Sequence, residues 1–128
     1  LYLSFAPPEK WRNPGQTRKL EGEAWQIFRK KILERDNYTC SYCGYKSNKY
    51  QIADHIDGNP ENNANNNMQV ICQMCNLIKH AGQGCEVQAV VDLYRNSKYN
   101  QNTIIKITSY IGNISAQKNT SRIIYSVI

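Results

Sequence analysis

The sequence predicts a small α+β fold whose core is stapled by zinc. Two Cys-x-x-Cys pairs, Cys40/Cys43 and Cys72/Cys75, have the spacing of a four-sulfur zinc site. Apolar residues at helical spacing precede the first pair, and two short apolar segments separated by turn residues lie between the pairs. A chain of 128 residues suffices for one domain with a modest core. The expected order is therefore helix, strand, strand, helix, with further short elements at the flanks.

The first predicted elements are an N-terminal arm and a helix. Pro-Pro at residues 7–8 and Asn-Pro-Gly at 13–15 break regular structure and favour an extended arm over residues 1–19. From about Glu21 the apolar residues recur at helical spacing, and Asp36-Asn37 ends the run, which predicts an amphipathic helix. The chain begins with Leu1, which fits either a processed product or a piece of something longer.

The next elements form a zinc-bound turn and a hairpin. Gly44 stands where a tight turn around the metal needs a permissive backbone. Residues 50–56 and 68–72 predict two short strands, separated by the turn signal Asp-Gly-Asn-Pro at 57–60 and an Asn-rich loop at 62–67. The second cysteine pair leads into a helix that runs to about Ala81 and is closed by Gly82.

The C-terminal third of the chain gives weaker signals. Val87, Val90, Val91 and Tyr94 predict another short helix. Residues 102–112 fit either a helix or a strand, because their isoleucines recur at helical spacing while their β-branched content favours a strand. Residues 123–125 predict a strand or a docked tail. The fifth cysteine, Cys85, is expected to be a small buried residue and not a ligand.

Composition and charge narrow the class of protein. The odd cysteine total, with four at metal spacing, fits a reducing compartment and zinc better than disulfides. Without a long apolar run, no membrane partner is expected, and a cytoplasmic location is the default expectation. The formal charge is +6, with ten Lys/Arg against five Asp/Glu in residues 1–50. This one-sided excess fits either phosphate-backbone binding or simple solubility.

The segment between the cysteine pairs resembles the core of HNH endonucleases, which have the ββα-metal fold. The resemblance covers residues 24–82 and rests on three runs, YTCSYCG at 38–44, ADHIDGNP at 53–60 and NMQVICQMCN at 67–76. Many members have a histidine after the last cysteine, whereas this chain has Asn76, so it resembles the HNN subgroup. The resemblance implies one HNH nuclease domain over residues 1–128, with an arm (1–19), a helix plus core (20–82) and a C-terminal extension (83–128).

The resemblance also implies roles for four residues. His55 is expected to be the general base, because a neutral imidazole accepts a proton near pH 7. Asp54 and Asn76 are expected to hold a catalytic Mg²⁺ or Mn²⁺ through hard oxygen atoms. Asn67 is expected to orient the loop and the histidine through hydrogen bonds. Because side chains alternate along a strand, Asp54 and His55 should point to opposite sides.

Further candidate residues lie on the two helices. His80 is either an additional metal ligand, a phosphate donor or a partly exposed residue at a helix end. Lys79 and the basic face of the first helix either contact DNA phosphates or are solvated. The basic candidates on that first helix are Arg29, Lys30, Lys31 and Arg35.

Two functions from different classes follow. The first is a metal-dependent endonuclease that cuts the phosphodiester bonds of double-stranded DNA, as a nick or, in a homodimer, as a double-strand break. The second is a non-catalytic, zinc-stabilised module that binds nucleic acid. RNA is a weaker expectation as a partner, because no aromatic stacking platform recurs at regular spacing.

Overall fold

The structure, a computed structural model, is a small mixed α/β protein. It describes residues 5–83, 93–95, 98–100, 102–107 and 125–127. The helices and strands are α1 (Gly22–Arg35), β1 (Ile52–His55), β2 (Met68–Ile71), α2 (Gln73–Lys79), β3 (Leu93–Arg95) and β4 (Tyr125–Val127). Short 3-10 turns lie at Pro8–Lys10 and Asn65–Asn67, and residues 81–83 and 102–107 are helical. Within these described ranges, no helix combines the length and apolar character needed to cross a bilayer.

The central unit is an antiparallel hairpin of β1 and β2. Asp54 pairs with Gln69 and His55 pairs with Met68 across the hairpin. Both strands were predicted, and each is one to three residues shorter than the sequence suggests. The hairpin separates two buried clusters. The first cluster packs around α1, and its main members are Trp25, Ile32, Leu33, Ala53, Met68 and Val70. The second contains the cysteines, and its main members are Cys40, Cys43, Ile71, Cys72, Cys75 and Ile78.

The helix α1 has nearly the predicted bounds. It ends at Arg35, and the next residues leave the helical conformation, with a φ of 52° at Asn37 and 53° at Tyr38. These left-handed values stop the helix, and asparagine adopts them more readily than most residues. Trp25, Ile32 and Leu33 form its buried face. The helix is thereby fixed against the β1–β2 hairpin.

The helix α2 is shorter than predicted, and Gly82 does not close it. The helix ends at Lys79, and His80 is its C-terminal cap residue. Gly82 lies in the helical residues 81–83, where an added Cβ would come 3.0 Å from Cζ2 of Trp11. The close approach of the N-terminal arm, and not a left-handed turn, therefore explains the glycine. The arm itself contains one 3-10 turn at Pro8–Lys10 where the sequence predicts only extended chain.

The C-terminal region differs from one expectation. Tyr94, predicted in a helix, lies in β3, which pairs in parallel with β4. This pairing joins residues far apart in sequence, so local periodicity does not reveal it. Of the two alternatives for residues 123–125, a strand or a docked tail, Tyr125 lies in a strand, and residues 123–124 lie outside the described residues. Cys85 and the three valines of the predicted helix also lie outside them. Residues 102–107 are helical, and Ile105, at 1% exposure, packs into the cysteine cluster.

Candidate metal centre and active site

The four cysteines of the two pairs meet at one buried point. All four Sγ atoms lie within 4.8 Å of one another, and Sγ of Cys43 is 3.7 Å from Sγ of Cys72. Sulfurs bound at about 2.3 Å to one tetrahedral zinc ion are about 3.8 Å apart. The donor set, the burial and the spacing therefore fit a structural zinc ion, as the sequence predicts.

The ionisation of the four thiols is linked, in a way that suits a bound cation. Hydrogen bonding to the Cys43 thiol lowers the pKa of Cys40, whereas hydrogen bonding to Cys40 raises the pKa of Cys75. The shifts are opposite because four thiols this close cannot all become anionic without a positive partner. Two backbone N–H groups help to stabilise thiolates, since Tyr45 donates to Sγ of Cys43 at 3.4 Å and Cys75 donates to Sγ of Cys72 at 3.5 Å. A divalent cation would complete this arrangement.

Asp54 lies on the α2 side of the hairpin in a buried polar network. Its Oδ2 accepts a 2.9 Å hydrogen bond from Nε2 of Gln69 and forms an ion pair with Nζ of Lys79. Its Oδ1 lies 3.4 Å from Nε2 of His80. Burial would raise the pKa of Asp54, but the hydrogen bond from His80, the charge of Lys79 and the hydrogen bond from Gln69 lower it below its usual value. Asp54 is therefore anionic in the folded protein.

His55 lies on the opposite side, against α1. Its ring stacks on Trp25, with ring centroids 6.0 Å apart and an interplanar angle of 16°. Its Nε2 lies 3.0 Å from Oδ1 of Asn63, which accepts a hydrogen bond when Nε2 carries the proton. These two contacts fix the ring orientation and favour the tautomer in which Nδ1 is the proton acceptor.

Asn67 organises the loop between the two strands. Its Nδ2 donates to Oδ1 of Asp57 at 2.9 Å and to the carbonyl of Asn62 at 2.8 Å. Its Oδ1 accepts from the backbone N–H of Asp57 at 3.2 Å, and its carbonyl accepts from the N–H of Ile56 at 2.8 Å. The loop is therefore held to the end of β1 by Asn67, while the side chain that contacts the His55 ring nitrogen is that of Asn63.

The two candidate metal ligands Asn76, on α2, and His80, its C-terminal cap residue, differ in position. The hydrogen-bond partners of the Asp54 carboxylate among the described residues are Gln69, Lys79 and His80, and Asn76 is not one of them. Two donor atoms held about 2.1 Å from one ion lie about 3–3.5 Å apart, so Oδ1 of Asp54 and an unprotonated Nε2 of His80 are close enough to hold one cation in place of their hydrogen bond. Asn76 is half-buried one turn earlier on α2. The ammonium of Lys79 already contacts Oδ2 of Asp54 and would repel a second cation there.

The basic side chains predicted to contact DNA have varied surroundings. Arg29 donates to the carbonyl of Gln51 at 2.6 Å, and Arg35 donates to the carbonyl of Met68 at 2.7 Å. Their guanidinium groups therefore have internal structural contacts. Lys79, whose side chain is 6% exposed, is not the solvated lysine that was one alternative, because it pairs with Asp54 and donates to the carbonyl of His55 at 3.0 Å. The exposed members of the set are Lys30, Lys31 and Arg35.

A cleft of about 290 Å³ joins Asp54, His55 and His80. Two arginines of the N-terminal arm, Arg12 and Arg18, also line it. Sequence reasoning missed both, because the arm carries no periodic pattern that would place it beside the hairpin. Gln69 was also missed, although it could have been predicted, because pairing the two predicted strands brings it opposite Asp54. Trp25 is one of the apolar residues whose helical spacing predicts α1, and its contact with the His55 ring was not predicted.

Fold and site together define a small mixed α/β protein with a four-cysteine cluster suited to zinc. No protein-family model matches the chain. The chain is 36% identical over 71 residues to the type 4 apparatus protein DotN of Legionella pneumophila, and the matched part is 56% of this chain and 32% of DotN. It thus spans about a third of the length of this curated relative.

Proposed function

We propose that this protein is a metal-dependent DNA endonuclease of the HNH family, in its HNN variant, built on a ββα-metal core. The observation that carries the proposal is the cleft near the end of β1 that Asp54, His55 and His80 all line. The order β1, β2, α2, with a cysteine cluster at its base, supports the same assignment. The cleft combines a base, an anionic oxygen and an imidazole, which together suit phosphodiester hydrolysis.

His55 acts as the general base in this proposal. Its Nε2 proton is engaged by Asn63, so the Nδ1 atom takes the proton of the attacking water. Stacking on Trp25 holds the ring in one orientation during the transfer. The water then attacks phosphorus opposite the 3′ oxygen, which leaves a 5′-phosphate and a 3′-hydroxyl.

Asp54 and His80 would hold the catalytic Mg²⁺ or Mn²⁺, with Asn76 one turn earlier as a further candidate ligand. The ion, when bound, supplies charge stabilisation for the phosphate and the leaving oxygen. Gln69 orients the Asp54 carboxylate from the opposite strand. A single site of this kind cuts one strand, so a double-strand break requires two nicks or a homodimer.

The test of this function is a plasmid-nicking assay with added Mg²⁺ or Mn²⁺. The change His55→Ala should lower the nicking rate about 10²–10⁴-fold, because it removes the general base. Gln26→Ala, on the exposed face of α1, is the matched control and should retain the wild-type rate. Zinc-loaded, folded wild-type protein that never nicks DNA, or a His55→Ala variant with undiminished activity, would refute the proposal.

A second candidate function is a non-catalytic, zinc-stabilised binding module. Two observations favour it: Lys79 already neutralises the Asp54 carboxylate, and the relative DotN is by name an apparatus protein. On this view the Asp54 network serves stability alone. The two functions differ in one measurement, because only the endonuclease loses an activity when His55 is replaced while DNA binding and zinc content stay the same.

A further inference from the structure

The N-terminal arm is anchored beside the cleft at several points. The N–H of Ala6 donates to the carbonyl of Lys79 at 2.8 Å, and the indole N–H of Trp11 donates to the carbonyl of Ala6 at 2.7 Å. Arg12 and Gln83 exchange two hydrogen bonds, of 3.3 and 2.9 Å, between backbone and side chain. The arm is thus joined to the region of α2 that carries His80.

The loop after β1 also fits the arm closely. Gly58 has a φ of 76°, and a Cβ built on it would lie 1.8 Å from the carbonyl oxygen of Lys10. Only glycine allows this approach. Gln16 adds a 3.4 Å hydrogen bond to Oδ1 of Asn59 in the same loop. Contacts to both the loop and α2 therefore fix where the arm presents its arginines.

Each of the two arginines is held while donor groups remain for a ligand. Arg12 donates through Nε and Nη2 to the carbonyl of Gln16, at 3.1 and 2.7 Å, which uses part of its five-donor fork. The guanidinium of Arg18 lies over the Trp25 ring, 4.6 Å from its centroid, and the same ring stacks on His55. Arg18 is thus connected to the candidate base through one aromatic ring.

The charge of the cleft favours an anion. Arg12 and Arg18 are exposed and contribute two positive charges, while Asp54 is offset by Lys79. The cleft is therefore positive even with both histidines neutral. A planar guanidinium binds phosphate oxygens in a two-point geometry that ammonium groups do not provide.

We propose that Arg12 and Arg18 form a phosphate-binding wall that holds the backbone of a nucleic acid against His55. This deepens the proposed endonuclease, on which it rests for the identity of the ligand. The arm, and not the basic face of α1, then carries the principal contacts to the DNA backbone near the site of cleavage.

The test is DNA affinity, measured by fluorescence anisotropy with a short labelled duplex and no added divalent ion, over a series of salt concentrations. The double change Arg12→Gln/Arg18→Gln should weaken binding about tenfold or more per arginine. It should also lower the slope of log affinity against log salt by about two. The matched control, Lys46→Gln/Lys49→Gln, removes the same charge from exposed positions outside the cleft lining and should change both quantities less.

Two further variants separate the possible outcomes. Arg12→Lys/Arg18→Lys keeps the charge and should recover most of the salt slope but only part of the affinity. A loss of affinity in Lys30→Gln/Lys31→Gln that equals or exceeds the loss in the arginine variant would overturn the inference, as would wild-type protein that binds no DNA. If the arginine variants lose DNA binding while wild-type protein never nicks DNA, the inference stands and the proposed endonuclease function fails. If wild-type protein nicks DNA and the arginine variants bind DNA with unchanged affinity, the endonuclease function stands and the inference fails.

Discussion

The buried ion pair of Lys79 and Asp54 affects how strongly the cleft can bind a cation. The Lys79 ammonium contacts Oδ2 of the carboxylate, and Nε2 of His80 stands 3.4 Å from its Oδ1. Both charged side chains are 6% exposed, so each depends on the other for the solvation it has lost. A divalent ion at Oδ1 would have to share the carboxylate with the ammonium. We therefore expect Lys79 both to stabilise the fold and to lower the affinity of this position for metal.

Replacing Lys79 by methionine should separate these two effects. Lys79→Met leaves the Asp54 carboxylate buried without its counterion, and we expect the free energy of unfolding to fall by about 3–5 kcal/mol. Added Mn²⁺ should then stabilise the variant more than it stabilises the wild type, because the repelling charge is gone. Urea denaturation of zinc-loaded protein, with and without Mn²⁺, measures both quantities.

The control for this change is Lys30→Met on α1. Lys30 is exposed, and its Nζ lies 3.8 Å from Oε1 of Glu34, which is also exposed. Because exposed ion pairs contribute little, its replacement should leave the free energy of unfolding nearly unchanged. Equal Mn²⁺ stabilisation of wild type and Lys79→Met would contradict competition between lysine and metal at Asp54.

At the scale of elements, the loop between β1 and β2 is held in its conformation by side-chain hydrogen bonds, beyond the residues that pair in the hairpin. The Asp57 carboxylate accepts hydrogen bonds from Nδ2 of Asn62 at 2.8 Å, from the N–H of Asn59 at 2.8 Å and from Nδ2 of Asn67 at 2.9 Å. Partial burial would raise the pKa of Asp57, but the Asn62, Asn59 and Asn67 hydrogen bonds lower it below the usual value. The loop that supports His55 is thus held by an ionised carboxylate.

This lowered pKa predicts a pH dependence of stability. The unfolded carboxyl group has a pKa of about 3.9, so the contribution of Asp57 is fully present above that pH. It is lost as the pH falls through the lower pKa of the folded protein. The difference in unfolding free energy between wild type and Asp57→Asn should therefore be largest near neutral pH and shrink below about pH 4. Denaturation of both proteins at each pH measures it, and acid release of zinc affects the two alike.

At the scale of the whole molecule, the cysteine cluster joins segments that are far apart in the sequence. Its buried neighbours come from β2, α2 and the helical residues 102–107, where Ile105 packs against it. Asn102 also donates to the carbonyl of Tyr42 in the turn between Cys40 and Cys43, at 3.1 Å. Zinc at this point would stabilise the hairpin and part of the C-terminal extension together.

Removing the metal should therefore unfold more than the local turns. We expect a chelator strong enough to extract zinc, or the change Cys72→Ser, to abolish cooperative unfolding and much of the circular dichroism signal. Cys85→Ser is the matched control and should keep one zinc ion per chain, measured by elemental analysis. A chain that stays folded without metal, or that binds zinc only when Cys85 is present, would contradict this role for the cluster.

Much of the core was predictable because its signals are local. The spacing of the two cysteine pairs predicted a cluster that the structure brings within 4.8 Å, and helical periodicity predicted α1 almost to the residue. Turn residues separated β1 from β2, and strand alternation predicted that Asp54 and His55 leave opposite faces. Helical periodicity, turn residues and strand alternation are signals between neighbours along the chain. The cysteine pairs lie 29 residues or more apart, but the spacing within each pair already indicates a shared metal site.

Only the tertiary structure decided which side chains share the cleft. Lys79 contacts Asp54 from 25 residues away, and Arg12 and Arg18 reach the cleft from an arm whose sequence has no regular pattern. The pairing of β3 with β4 is of the same kind and replaced a predicted helix around Tyr94. These contacts depend on which distant segments pack together, and the periodicity within one segment does not indicate its partner. The sequence thus determined the scaffold and the candidate base, and the fold decided which charges surround them.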